Sequence, residues 1–333
     1  MKSRCEGILV LAVLGSAALA AEPRPRPLSP SEIMAGRFVL KSKRLVAEVM
    51  VPDVAAAPYA GQRFESGGVV LQVTLDGKHT FLGREPRGER LGGIGLIEEM
   101  GISRAIGYEE AKPGEPFLKL GVGLLARGRK PRYLFYPPYR EIERFRWKVS
   151  RTQTSATFLQ VGKPFKGYAY RYHKRLVLDP KKPHLRIEHE LTNTGEKPIE
   201  TDQYCHNFFC FDGRPPSPDY LITTAFPLVP ERSPSELMRV EGRTITFVEE
   251  LRGAAYSRFR GQGEGAKSHA FRVENRATGL AVEVGGDFPV SAFALYADAE
   301  AVSPEAFVAL KLEPKKTIRW TRTYAFEARG KEK

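Results

Sequence analysis

Apolar and polar residues alternate with a period of two along much of the chain. The clearest run is His184–Leu191, where Leu185, Ile187, His189 and Leu191 fall on one side and Arg186, Glu188 and Glu190 on the other. Successive side chains of a strand point to opposite faces, so this run reads as a half-buried strand. Arg171–Leu178 precedes it across Asp179-Pro180-Lys181-Lys182-Pro183, and the two read as a hairpin. Val69–Leu75 and Lys78–Leu82 form a second, joined by Asp76-Gly77, residue types that accept the positive φ a type I′ turn needs at both positions. Further strands are expected at Ala270–Glu274, Leu280–Val284, Val290–Tyr296, Phe307–Leu312 and Ile318–Phe326. Helical periodicity is scarce, and only Ser303–Ala309 offers a short turn. Strands at intervals of about ten residues, punctuated by turn residues, predict an all-β sandwich or barrel. The missing βαβ alternation counts against a doubly wound or TIM architecture.

A hydrophobic fraction of 42% is enough for a sizeable core. No linker-like segment interrupts residues 37–328, which are read as one domain. Before it, residues 21–36 include Glu22–Glu32 (EPRPRPLSPSE), a proline-dense tether expected to be extended or disordered. Residues 329–333 form a short basic tail. At the N-terminus Lys2 and Arg4 precede the apolar Ile8–Leu14 and the small-residue stretch Gly15–Ala20. That order predicts a secretory signal peptide, residues 1–20, cleaved near Ala20. Its apolar core is short against the ~20 residues that span a bilayer. The mature chain is therefore expected in the periplasm or outside the cell, with no integral membrane segment.

The formal charge of +13 favours anionic partners in general. The basic residues are scattered, though, with only local clusters such as Arg127-Gly128-Arg129-Lys130, and no nucleic-acid motif accompanies them. Nucleic acid is not expected as a partner. Cys205 and Cys210 lie in a strand-like segment, where five residues at about 3.3 Å each hold the Cα atoms well beyond the ~7 Å reach of a disulfide. Free, buried thiols are expected. Histidines and carboxylates show no H-x-x-E-H, H-E-x-x-H or C-x-x-C spacing, so no metal is expected; no organic cofactor is expected either. Gly92–Gly123, rich in glycine and charge, lacks the spacing of a nucleotide loop and reads as a long loop system forming part of a cleft wall.

The most unusual segment is Thr201–Gly213, TDQYCHNFFCFDG. In an extended chain His206 shares a face with Tyr204, Phe208 and Cys210. An imidazole framed by aromatics can exchange a proton near neutrality, since its unperturbed pKa is about 6.5; it can equally be a core histidine bonded to a carbonyl.

The stretch from His206 to Gly213 resembles the H-x-Y-F-N-L-x-G motif of the galactose mutarotase (aldose 1-epimerase) superfamily. Other pieces follow in the family's order: Gly67–Gly83, Tyr139–Val149 with Trp147, and Leu312-Glu313-Pro314-Lys315-Lys316 ahead of Trp320–Phe326. The resemblance is diffuse over residues 37–327 and most distinctive at His206 and the final strand. It implies a β-supersandwich of two large antiparallel sheets, and a carbohydrate-active protein with His206 as general acid. Glu305 falls near the family's late glutamate base, with Glu283 as the other possibility. Leu118-Lys119-Leu120-Gly121 sits where the family carries a sugar-holding histidine, so Lys119 replaces it, a departure that would suit an anionic sugar. Arg63, Asp202, Asn207 and Trp320 are the remaining candidate sugar contacts. The implied partner is a sugar or polysaccharide. The implied chemistry is anomer interconversion by acid–base ring opening, with non-catalytic carbohydrate binding and polysaccharide lyase chemistry as alternatives.

Overall fold

The computed structural model describes residues 24–84, 92–260 and 269–329. The predicted signal peptide lies outside them, as does the basic tail beyond Arg329. The described residues form an eleven-stranded and a ten-stranded antiparallel sheet, with a small three-stranded sheet beside them. Both predicted hairpins are present. In the first Leu178 opposes Leu185 and Tyr170 opposes Asn193. In the second Asp76 and Gly77 take φ values of 53° and 68° in the tight turn, and the return strand is shorter than expected, His79–Thr80. Cys205 and Cys210 are buried free thiols.

Three expectations are corrected. Residues 26–35 are not a bare tether: Arg26–Pro27 pairs with the Trp147–Arg151 strand, and Pro30–Ala35 is a helix. Ser29 and Glu32 close a capping box around Pro30 at the first turn, which satisfies amide groups that would otherwise be orphaned. Ser303–Ala309 contains no helical turn, because it lies within the strand Val302–Leu312. Gly92–Gly123 is not one loop, since it contains the strands Leu96–Met100 and Pro116–Lys119.

The two faces of the ten-stranded sheet do different work. Its inner face packs on the other sheet around a core that includes Leu40, Val73, Cys205, Phe209, Leu310, Tyr324 and Phe326. Its outer face carries a second apolar layer, with Tyr59, Phe64, Ile97, Tyr204, Phe208, Ala294 and Phe307. The strand Leu96–Met100 is buried at every position, so consecutive residues serve opposite layers. Gly95 leads into it at φ 65°, and a side chain there would meet the Val70 carbonyl oxygen at 1.9 Å; only glycine fits that close crossing.

Between the sheets lies a buried charge network. Lys174 Nζ is 2.8 Å from Glu65 and 2.5 Å from Glu98. Arg322 reaches Glu98 at 2.9 Å and His189 Nε2 lies 3.2 Å from it. Burial pushes Glu98 up, but His189, Lys174 and Arg322 outweigh it and hold the carboxyl well below its usual range. Burial holds His189 down at about 4 and, beside Arg322, holds His269 at about 3. His206 is likewise lowered by burial and by Arg63.

These histidines set a pH dependence of stability. Their folded values lie below the ordinary 6.5, so stability is full above that pH and is lost as pH falls toward the folded values. From pH 6.5 to 5 His189 and His269 each cost roughly 2 kcal/mol. Glu65, pushed up to about 8 by burial against the pull of Lys174, works the other way and offsets about one of the two. We expect a net loss on the order of 2 kcal/mol across that window. Urea midpoints measured from pH 7.5 to 5 check this, and a flat profile would contradict it.

Candidate functional site

Period-two geometry sorts the His206 strand, Ile199–Asn207, into two sets. Gln203, Cys205 and Asn207 point toward the other sheet, while Tyr204 and His206 point to the outer layer. The neighbouring strand Val302–Leu312 pairs with it as far as Gln203 opposite Val308. Continued three residues further, this register brings Glu305 beside His206. Pro304 has no amide to extend the ladder; the Asn207 amide instead donates to Ser303 Oγ at 2.9 Å. The result is a direct contact, His206 Nε2 to Glu305 Oε1, at 3.2 Å.

Aromatic rings fix the imidazole. Phe208 stacks on it with centroids 4.0 Å apart, and Phe64 and Tyr296 present edges at 5.7 and 5.5 Å. Among the described residues His206 Nδ1 has no hydrogen-bond partner. Held neutral, the ring offers its Nε2–H to the Glu305 carboxylate. The pair sits in a cavity of about 480 Å³ lined also by Arg63, Ile102, Phe135, Tyr256, Arg258 and Tyr296, within the size range of small-ligand sites.

A second tier holds Arg63. Its Nε donates to Glu99 at 3.0 Å and its Nη2 to the Tyr204 hydroxyl at 3.0 Å, and Tyr204 donates to Glu99 at 2.7 Å. The guanidinium lies between the Phe64 and Phe135 rings, 4.4 and 4.5 Å from their centroids. Glu99 in turn accepts from Lys119 Nζ at 2.8 Å. Burial works against the Lys119 charge, and Glu99 beside it outweighs the burial. Charges therefore alternate inward from Lys119 through Glu99 and Arg63 to Glu305. Adjacent residues Glu98 and Glu99 thus anchor separate networks on the two faces of one strand.

Of the residues singled out from the sequence, His206, Glu305 and Arg63 come together in the cavity. The other five do not line it. Lys119 is 1% exposed, spent on Glu99 and the Gly101 carbonyl, so it cannot reach a sugar or select an anionic one. Trp320 belongs to the opposite sheet, stacked on His189 at 4.7 Å and donating to Gln203. Asn207 faces inward, donating to the Cys205 and Pro304 carbonyls and accepting from Tyr324. Asp202 lies on the outer side but holds the Ile102 amide at 3.0 Å, shaping the loop that lines the cavity. Glu283 is exposed on the eleven-stranded sheet.

Sequence reasoning missed Phe135, Tyr256, Arg258, Tyr296 and Glu99. Strand pairing places Tyr256 opposite Tyr296 and Ala294 opposite Arg258 and Glu305. The alternation Tyr256-Ser257-Arg258 was a visible signal of a strand with a polar, aromatic face. Nothing in it pointed to His206. Among the described residues no cluster of three or more histidines, cysteines or acids could hold a metal ion, and no helix is long and apolar enough to cross a membrane.

No protein-family model and no curated protein matches the sequence. Solved structures do. An aldose 1-epimerase candidate from Escherichia coli K12 superposes with a TM-score of 0.58 at 14% identity, covering 88% of this chain and 99% of that one. A galactose mutarotase related enzyme from Lactobacillus acidophilus gives 0.51 at 11% identity over 89% and 99%. A galactose mutarotase-like protein from Lactobacillus casei gives 0.52 at 10% over 88% and 100%. The chain has the galactose mutarotase-like fold.

Proposed function

We propose that the protein interconverts the anomers of an aldose by acid–base ring opening. One observation carries this reading: a histidine and a glutamate meet at 3.2 Å in a cavity of about 480 Å³. Ring opening needs the proton of the anomeric hydroxyl removed and a proton delivered to the ring oxygen, and both oxygens sit on the same carbon. A carboxylate and an imidazole side by side match that demand. Substrate replaces the direct contact, placing its hydroxyl on Glu305 and its ring oxygen on His206 Nε2–H. Glu305 takes the hydroxyl proton and hands it to the ring oxygen on the same carbon as that carbon–oxygen bond breaks and the carbonyl forms, while neutral His206 holds the ring oxygen through its Nε2–H. The proton count closes within the pair. Arg63 beside both groups stabilises negative charge building on the ring oxygen. The apolar rings around the pair thin out water, which strengthens these interactions.

A second reading, sugar binding without turnover, is favoured by one feature. The pair is closed on itself, with no sugar-sized gap and His206 only 2% exposed. Saturation-transfer NMR on neutral aldoses and uronic acids separates the two. Accelerated anomer exchange establishes the first; ligand binding with no acceleration establishes the second. We further propose, from the leader-like N-terminus, that the protein acts outside the cytoplasm, which fractionation of the producing cells tests.

A further inference from the structure

A second cavity adjoins the first. It measures about 350 Å³, and Arg63 and Phe135 line both. Its remaining walls include Ala60, Pro138, Tyr139, Glu141 and Arg144.

This second cavity is built rather than incidental. Its two long walls are tied together, since the Tyr139 amide donates to Gln62 Oε1 at 3.1 Å. Arg144 donates to the Gly61 carbonyl at 3.1 Å and pairs with Glu141 at 2.7 Å. The Tyr139 hydroxyl donates to the Leu134 carbonyl at 2.6 Å, and Tyr139 packs on Tyr108, Phe117 and Tyr133 in a separate apolar cluster. A cavity pre-formed in this way loses little entropy on binding. Its lining pairs aromatic and proline surface with a carboxylate and two guanidinium groups. That mixture fits a pyranose, whose C–H face packs on apolar rings while its hydroxyls bond charged groups at the rim.

We infer that this cavity is a subsite for a second sugar unit, so that the substrate is a reducing disaccharide or longer oligosaccharide rather than a free monosaccharide. The inference rests on the proposed function for its polarity. The unit at His206 and Glu305 must keep a free anomeric hydroxyl, so the second unit is joined through one of its other hydroxyls. Phe135 and Arg63 stand at the junction. A third cavity, on the Tyr256 and Arg258 side, is lined otherwise by Glu231, Arg232, Ser233 and Ser257 and offers no such run of rings.

The test compares glucose and galactose with maltose and lactose, using anomer exchange by NMR and binding by calorimetry, in wild type, Ala60→Trp and Pro138→Trp. Both substitutions fill the second cavity from exposed positions. The expected result is a disaccharide preference of at least about tenfold in kcat/KM, or one to two kcal/mol, abolished by either tryptophan with monosaccharide rates unchanged. Equal handling of both sugar sizes by wild type would overturn the subsite and leave the proposed function standing. Disaccharide-selective binding without exchange, lost in Ala60→Trp, would uphold the subsite and sink the epimerase. A preference that survives both substitutions would also overturn it.

Discussion

Glu305→Gln should slow anomer interconversion by about two to four orders of magnitude, the range for losing a positioned acid or base, with the far-ultraviolet circular dichroism unchanged. The substitution keeps shape and can still accept from His206 Nε2 across the 3.2 Å contact; it removes only the ability to take a proton. His206→Ala should cost a similar factor, and the double variant little more than either single one. The two side chains act on one proton cycle, and groups that act as a unit lose activity together. Saturation-transfer rates on the preferred aldose provide the measurement. Additive losses, with each single variant retaining substantial rate, would mean the pair does not work as proposed. The low titration of His206, caused by burial and then by Arg63, adds a corollary: the rate should not fall as pH rises from 6.5 to 8, because the imidazole is already neutral throughout.

Lys174→Met should destabilise the fold by about 3–5 kcal/mol, the cost of breaking a buried ion pair from one side. Lys174 is fully buried, contacts Glu65 and Glu98 together, and also donates to the Gly67 carbonyl at 3.0 Å. Without it, two carboxyl groups share a dry interior with Arg322 as the remaining full cation at Glu98. Adding Glu65→Leu should recover part of the loss, since a buried carboxyl no longer has to stand without the Lys174 donor. Urea midpoints read both effects, and a double variant less stable than Lys174→Met would argue against this account. Anomer exchange per folded molecule should change far less than in Glu305→Gln, because this network faces the other sheet.

Much of the fold was legible because a half-buried strand writes its burial into alternation. His184–Leu191 and the Asp76-Gly77 turn are examples, and both are found where the pattern puts them. Legibility failed where that signal vanishes. Leu96–Met100 is buried on both faces, so Glu98 and Glu99 break no pattern that could be read, and the segment looked like a charged loop. The helix at Pro30–Ala35 carried its capping box openly, but too few apolar residues follow Ser29 to announce a helix.

For the site, the chain alone determined that His206 lies in an aromatic-framed strand and that Glu305 and Arg63 were worth attention. It could not determine which face of each strand meets which partner. Asn207 follows His206 directly yet serves the core, and Trp320 stacks on His189 between the sheets. Tertiary structure decided this, because pairing joins residues far apart in sequence: His206 with Glu305, and Arg63 with Tyr204. Alternation specifies that neighbours part company; only the packing of one sheet on another specifies where each of them goes.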